Sequence, residues 1–534
     1  MFNRLIARIG FLPRPGDDVS IFVLAPFGAS LALILAAFAA LFFAFGFWWP
    51  YWRVGDMDIW MVYQAFLLND GLAQEYFDHP GYLSIISLQY WLAMLKSVGL
   101  IAVDRLSLLP PAAEIAASQS AWMKATQAAR LLSLVYACLF IAVFGLLLRR
   151  LLHDWRIAVL AAFVLAFSSG VLMEGRIVRT ELIPAAFAYA ALLLCLIAGD
   201  LRRPVRLAAI ALASLLATLA LVNKVQFLFL LLTFAPIVYF CAPSRPAATD
   251  KDDMPLPICA LLCAAALALI YFAWPLISAG FADPAASARR AATFATRFPL
   301  YQAFAVLWLL CWTVALGIKW RSRPRAIVSA VACIAGGVSL GLLSLSGAAP
   351  GNITVVFNPL EQMLGFIPHA ETPGAPPPSF LRLMLDGAML LLARLTFVLS
   401  TSARSTVFLG WLILAGIVYA WRHGARAVAA QAALMFVAVC AVDFVGAFRG
   451  LKLEYFIITD PLLILAAAWL LAKAPSLQRH RLVRPVGVLL FGAMIAVGVA
   501  EPVKHSFKRD VPLDFCRPNY HYTSRIESFS FCPR

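Results

Sequence analysis

Long apolar runs separated by short polar intervals set the pattern of this chain, and the length of each run is the first thing to read. A hydrocarbon core about 30 Å thick takes roughly 20 apolar residues in helical form. On that rule the candidate spans are 20–49, 128–148, 157–173, 182–199, 207–222, 225–242, 257–279, 301–318, 326–346, 405–421, 427–447, 456–472 and 485–500, about thirteen in all. Segment 381–400 is interrupted by Arg382, Asp386 and Arg394 and suits a helix lying in the membrane interface better than a span. The first run is too long for a signal-peptide core and lacks a small-residue cleavage pattern after it, so it is expected to stay as an anchor.

The polar intervals give the orientation. Arg149, Arg150 and Arg156 fall in one interval, and Arg202, Arg203 and Arg206 in the next of the same parity. Lys319, Arg321, Arg323 and Arg325, then Arg422 and Arg426, then Lys473, Arg479, Arg481 and Arg484 continue the series. With Arg4, Arg8 and Arg14 on the cytoplasmic side, about half of the Lys and Arg fall in about 72 cytoplasmic loop residues and the rest spread over about 215 outer ones, in the sense of the positive-inside rule. The N-terminus is therefore expected in the cytoplasm and the C-terminus in the periplasm. The long outer loops are 50–127, 280–300, 347–404 and the tail 501–534.

Composition narrows the class. Of 534 residues, 63% are hydrophobic and 13% charged, with a mean hydropathy of +0.86; a soluble domain carries about 25% charged residues. The expected fold is an all-α polytopic membrane domain over residues 1–500, with interfacial helices in the first outer loop, followed by a periplasmic tail. The net charge of +16 raises the question of nucleic acid. The basic residues are dispersed as membrane anchors, so no nucleic acid is expected as a partner. Eight cysteines lie in apolar runs and read as small buried hydrophobes. Cys516 and Cys532 lie in the polar tail, where an oxidising space lets a disulfide persist; closing that loop would stabilise the tail by roughly 3 kcal/mol.

Ionisable residues avoid the centres of the spans and gather at their outer ends. A proton or ion pathway would place carboxylates or histidines deeper, so the expected site faces outward at the membrane surface. Asp56 and Asp58 follow the first span, among Trp48, Trp49, Tyr51, Trp52 and Trp60. A helix from about 58 to 69 would bury Val62, Ala65, Phe66 and Asn69 on one stripe, and 82–95 would form a second helix on the membrane. Either aspartate also suits a plain helix cap. Arg176, Arg179, Lys224, Arg449 and Lys452 break the outward depletion of positive charge; they are either snorkelling residues or a phosphate site.

This first outer loop resembles that of the GT-C membrane glycosyltransferases that use polyprenyl-phosphate donors, of the protein O-mannosyltransferase and aminoarabinose transferase type. The residues that carry the resemblance are Asp56 and Asp58, then Tyr76, Phe77, Asp78, His79 and Pro80. The acidic pair here reads Asp-Met-Asp, and Gly81 replaces the family's second proline. Three further segments resemble the family in order: 175–194 with Arg176, Arg179 and Glu181, 216–232 with Lys224, and 448–471 with Lys452, Glu454 and Tyr455.

The resemblance implies an enzyme: a glycosyltransferase moving a hexosyl or pentosyl group from a polyprenyl-phosphate donor, among membrane lipids, to a lipid or glycolipid acceptor hydroxyl on the periplasmic face of a bacterial inner membrane. Asp58, or Asp56, would be the general base of an inverting displacement. Arg176, Arg179, Lys224, His79, Arg449 and Lys452 would hold the donor phosphate, with Asp78, Glu181 and Tyr455 in support. Asp78 with Glu181 would offer oxygen ligands to a divalent cation, but two acids so far apart make a poor metal signature and no cofactor is assigned. Loop 347–380, with Glu361 and His369, reads equally as a lid over the site or as a linker. Asn352 starts an Asn-Ile-Thr acceptor pattern, which occurs often by chance. A lipid or small-molecule transporter or flippase is the alternative function.

Overall fold

A computed structural model describes residues 21–506 apart from 52–54, 76–80, 112, 243–254, 283–299, 321, 358, 360–379, 397–403, 448–452, 479–480 and 482. Among the described residues the chain is all helix and turn, with no strand. Seven helices are long and apolar enough to cross a membrane, and six shorter apolar helices accompany them. This is the architecture of a multi-pass membrane protein.

The first helix, α1 (Ile21–Phe45), leads through a π-helical turn (Gly55–Ile59) into α2 (Trp60–Asn69) and α3 (Tyr82–Ser97) of the first long loop. Next come α4 (Ile115–Leu152), α5 (Trp155–Ala166), α6 (Ser169–Glu174) and α7 (Leu182–Ala198). A second group holds α8 (Arg203–Asn223), α9 (Phe227–Cys241), α10 (Leu256–Ala282), α11 (Leu300–Lys319), α12 (Pro324–Leu343) and the short α13 (Pro350–Phe357). The chain then forms α14 (Phe380–Thr396), α15 (Val407–Arg422) and α16 (Arg426–Ala447). A 3₁₀ turn (Leu453–Ile458), α17 (Asp460–Lys473) and α18 (Val483–Ser506) complete it.

Each run read as a span is helical, but the structure differs from the sequence reading in three instructive places. The run 128–148 lies inside a helix of 38 residues, about 57 Å at 1.5 Å per residue, so α4 projects well beyond a bilayer and carries Arg130 on its projecting half. The run 157–173 breaks after Ala166, where Ser169 and Ser405 each accept a hydrogen bond from the other's backbone N–H (2.9 and 2.8 Å). And α2 is not half-buried on one stripe: all residues from Trp60 to Leu67 are buried, because α3, α4 and the π-turn pack around it. Segment 381–400 is helical over α14, with Arg382 and Asp386 exposed on it. Asn352 is buried and donates to Gln74 Oε1 at 2.9 Å.

The main core joins α1, α4, α5, α7 and α15 to α17 through residues such as Phe38, Phe140, Phe144, Leu192, Leu193, Leu463 and Leu465. The helix at its centre is α7, which packs on α4, α8 and α9. Between α8 and α12 the chain uses small residues. A Cβ placed on Gly337 would lie 2.4 Å from the Ala211 carbonyl oxygen, and one on Gly341 would lie 2.6 Å from Thr218 Cβ. Gly337 and Gly341 are the small-xxx-small pair that lets two membrane helices approach backbone to backbone. Gly336, one residue earlier, faces Leu269 and Ala266 at 3.6 Å or more, ordinary contact.

Substituting Gly337→Ala should destabilise the protein by about 1–3 kcal/mol, the usual cost of overpacking. Gly336→Ala should be close to neutral. Thermal unfolding of the two variants in detergent measures the difference.

Candidate functional site

Five of the charged residues singled out in the sequence, Asp58, Arg176, Arg179, Glu181 and Lys224, come together where α1 and α8 end and α7 begins. The physical reason is local. The segment 175–181 is a turn between two helices, and its side chains have no room to reach water. Gly175 and Arg176 press against α1: a Cβ on Gly175 would sit 2.7 Å from the Phe38 ring, and a Cβ on Gly46 would sit 2.8 Å from Arg176 Cγ. Arg176 donates Nε to the Leu172 carbonyl at 2.7 Å and stacks its guanidinium on the Trp49 ring, 5.1 Å from its centroid.

Asp58 is wholly buried beneath this turn. Its Oδ2 accepts from Arg130 Nε at 3.1 Å and Nη2 at 2.5 Å, and its Oδ1 accepts from the Val178 backbone N–H at 2.8 Å. Arg130 also donates to the Trp49 and Pro50 carbonyls at 2.6 and 3.3 Å. One ion pair therefore ties together α4, the aromatic segment after α1, the π-turn and the 175–181 turn. Asp58 acts on geometry, holding the backbone of the very segment that carries Arg176 and Arg179. Asp56 lies in the same π-turn, and its side chain lies outside the described part of the structure.

Two further carboxylates gather the remaining cations. Glu181 Oε1 accepts from Lys224 Nζ at 2.7 Å and from Arg179 Nη2 at 3.1 Å, and Arg179 Nε lies 3.3 Å from Glu174 Oε1. Thr180 Oγ1 accepts from Lys224 Nζ at 3.0 Å. Glu181 stands at the start of the central helix, where the positive end of the helix dipole favours an anion. Burial alone would push its carboxyl up. Arg179 and Lys224, charged and hydrogen-bonded to it, outweigh burial and hold it well below the usual carboxylate range. Asn223 completes the frame: it accepts from the Ser84 backbone N–H at 3.0 Å and donates to Ser84 Oγ (2.9 Å) and to the Thr180 carbonyl (2.8 Å). In this way the end of α8 is latched to α3 and to the 175–181 turn.

A third charged cluster lies next to α6. Arg404 pairs with Asp443 and with Asp460, the latter at 2.9 Å, and donates to Thr406 and Thr459 while lying over the Phe456 ring. The turn that carries half-buried Tyr455 reaches α6, because Gly170 leaves room for the Ile457 backbone, 2.5 Å from where a Cβ would stand.

Of the residues expected at the site, the structure thus brings together Asp58, Arg176, Arg179, Lys224 and Glu181, with Tyr455 on the neighbouring turn. His79, Asp78, Arg449, Lys452, Cys516, Cys532, Glu361 and His369 lie outside the described residues. Arg130, Glu174, Asn223, Arg404, Asp443 and Asp460 were missed by sequence reasoning. Arg130 was within reach, being the one cation inside the apolar run 128–148, and such a residue is expensive without a partner. No group of three or more His, Cys, Asp or Glu side chains fit to hold a metal ion is present among the described residues. The cluster offers fixed cations, held in place by carboxylates, at one end of the bundle, and such donors suit an anion.

Removing Arg130 alone leaves Asp58 as an unpaired buried charge, so Arg130→Ala should cost roughly 3–5 kcal/mol. The double variant Arg130→Met with Asp58→Asn should recover part of that loss, and unfolding in detergent reads both. The pH dependence follows from Glu181. Its carboxyl is lower in the folded chain than its ordinary value of 4.5, so its contribution is complete above 4.5 and disappears as pH falls through the folded value. Wild type should lose stability on acidification in that window. Glu181→Gln should be less stable at neutral pH and lose this part of the acid sensitivity.

Comparison with family models, curated proteins and solved structures finds no match to this chain, so the functional reading rests on the chemistry of the site itself.

Proposed function

We propose that this protein is an integral membrane glycosyltransferase of the GT-C type that transfers a sugar from a polyprenyl-phosphate donor to a lipid or glycolipid hydroxyl. In this reading the chain crosses the bacterial inner membrane thirteen times, N-terminus inside, and its charged end faces the periplasm. The observation that supports it is convergence. Asp58, Arg176, Arg179, Glu181 and Lys224 come from three of the four segments that resemble the family in order, and they meet at one end of the helix bundle.

The donor phosphate binds among Arg176, Arg179 and Lys224, exchanging with the carboxylates that hold Arg179 and Lys224, while its isoprenoid chain stays among the membrane-facing helices. The resemblance gives His79, Arg449 and Lys452 the same role. Arg supplies paired donors to phosphate oxygens and Lys a point charge. An acceptor hydroxyl attacks the anomeric carbon from the opposite face, its proton passes to an aspartate, and the sugar–phosphate oxygen bond breaks to release polyprenyl phosphate. Charge grows on that leaving oxygen, and fixed cations there lower the barrier. Arg130 and the Val178 amide already occupy both oxygens of Asp58, which supports giving proton transfer to Asp56 and leaving Asp58 to set the position of the 175–181 turn. The ionisable residues gathered at one end of the bundle argue against the alternative, a transporter or flippase, which needs them near the midplane.

Transfer from a radiolabelled polyprenyl-phosphate sugar in proteoliposomes is the test. Asp56→Asn should lower kcat by at least about 100-fold, as expected for loss of a general base, with unfolding unchanged. Arg176→Gln should weaken donor use, and Asp58→Asn should lower both activity and stability. Undiminished transfer by Asp56→Asn overturns the assignment of the base. No transfer by wild type to any lipid acceptor, together with movement of labelled lipid between leaflets, favours the flippase.

A further inference from the structure

A groove of about 450 Å³ runs between α7, α8, α9, α11 and α12. It extends along α8 from Arg206 to Leu221 and along α12 from Ala326 to Leu342, nearly the full length of both helices. The two helices run in the same direction, since Gly337 meets Ala211 and Gly341 meets Thr218, so both begin at the same end of the groove. Almost all of the lining is aliphatic or aromatic. Arg203 and Arg206 alone are charged among the described lining residues, and both sit at that one end.

Arg206 is the informative side chain. It is 6% exposed, donates Nη2 to the Leu201 carbonyl at 3.1 Å, and lies over the Trp320 ring, 5.6 Å from its centroid. Its Nε is buried and has no hydrogen-bond acceptor among the described residues. A cation's N–H left in this state is costly. At the mouth of an apolar channel it calls for an anionic oxygen attached to an apolar tail. The starts of α8 and α12 add the positive ends of two helix dipoles at the same place.

We infer that this groove binds an anionic phospholipid, its acyl chain in the channel and its phosphate accepting from Arg206 Nε beside Trp320. Basic pockets between membrane helices on the cytoplasmic side are suited to such headgroups, and the sequence places Arg202, Arg203 and Arg206 on that side. Free phosphate satisfies Arg206 and leaves the channel empty. A zwitterionic lipid fills the channel and brings its own cation to the phosphate. The site lies at the opposite end of α8 from Lys224, so it is independent of the proposed transferase activity.

The experiment is native mass spectrometry of the full-length protein, delipidated in detergent, with phosphatidylglycerol, phosphatidylcholine or inorganic phosphate added back. Wild type should retain one phosphatidylglycerol and prefer it to phosphatidylcholine by at least about tenfold, the value of one charged hydrogen bond. Arg206→Gln should remove that preference, and Arg206→Lys should keep part of it. Ala305→Phe, which narrows the channel and leaves Arg206 in place, should also cut retention. Unfolding temperatures are read for each variant; if Arg206→Gln does not fold, Arg206→Lys and Ala305→Phe decide. Equal retention of the two lipids by wild type, retention in Ala305→Phe equal to wild type, or displacement of the lipid by inorganic phosphate overturns the inference.

Discussion

A charge taken out of water must be matched, and the organisation of this protein follows from where it meets that requirement. The Arg130–Asp58 pair is the central case. Both side chains are fully buried, and separating them would leave one ion in a medium that solvates it poorly. The pair therefore fixes the projecting half of α4 against the segment after α1, and through the Val178 amide it fixes the 175–181 turn. Glu181, Arg179 and Lys224 repeat the principle at the start of α7, and Arg404, Asp443 and Asp460 repeat it beside α6.

These three clusters share one end of the bundle, and the apolar remainder shares another logic. Where no charges are buried, helices associate by close packing, with glycines at the nearest approach of α8 and α12 and large aromatic and aliphatic side chains filling the core around α7. The division gives the molecule a rigid polar face on an apolar body. Cations held by carboxylates in such a face are already oriented, and an arriving anion exchanges with a partner instead of ordering loose side chains. That is the physical content of the proposed donor site. The groove lined by Arg206 lies at the other end and obeys the same rule from the opposite direction, with a buried donor whose match comes from outside the protein.

Much of the fold could be read directly. Each apolar run read as a span is helical, and 82–95 is helical as the reading of the first outer loop required. The misreadings have identifiable causes. The segment 58–69 reads as buried on one stripe, yet neighbours on every side bury all of Trp60 to Leu67. At the site, Arg176, Arg179, Glu181 and Lys224 were legible as outward-facing charges. Arg130, a cation inside an apolar run, demanded a partner without naming it, and nothing near Asn223 in sequence announces one.

Class and approximate helix positions are local properties: a run of apolar residues must leave water, and within a bilayer a helix satisfies its own backbone, so the sequence by itself determined an all-helical membrane protein and where its apolar helices lie. Pairing is not local. Asp58 and Arg130 lie 72 residues apart, Lys224 and Glu181 lie 43 apart, and Arg404 and Asp460 lie 56 apart. Many carboxylates along the chain had the right charge to serve each of these cations. Only the packing of the helices decided which one stood within hydrogen-bond reach, since the energy of a buried pair depends on a few tenths of an ångström that no spacing in the sequence encodes.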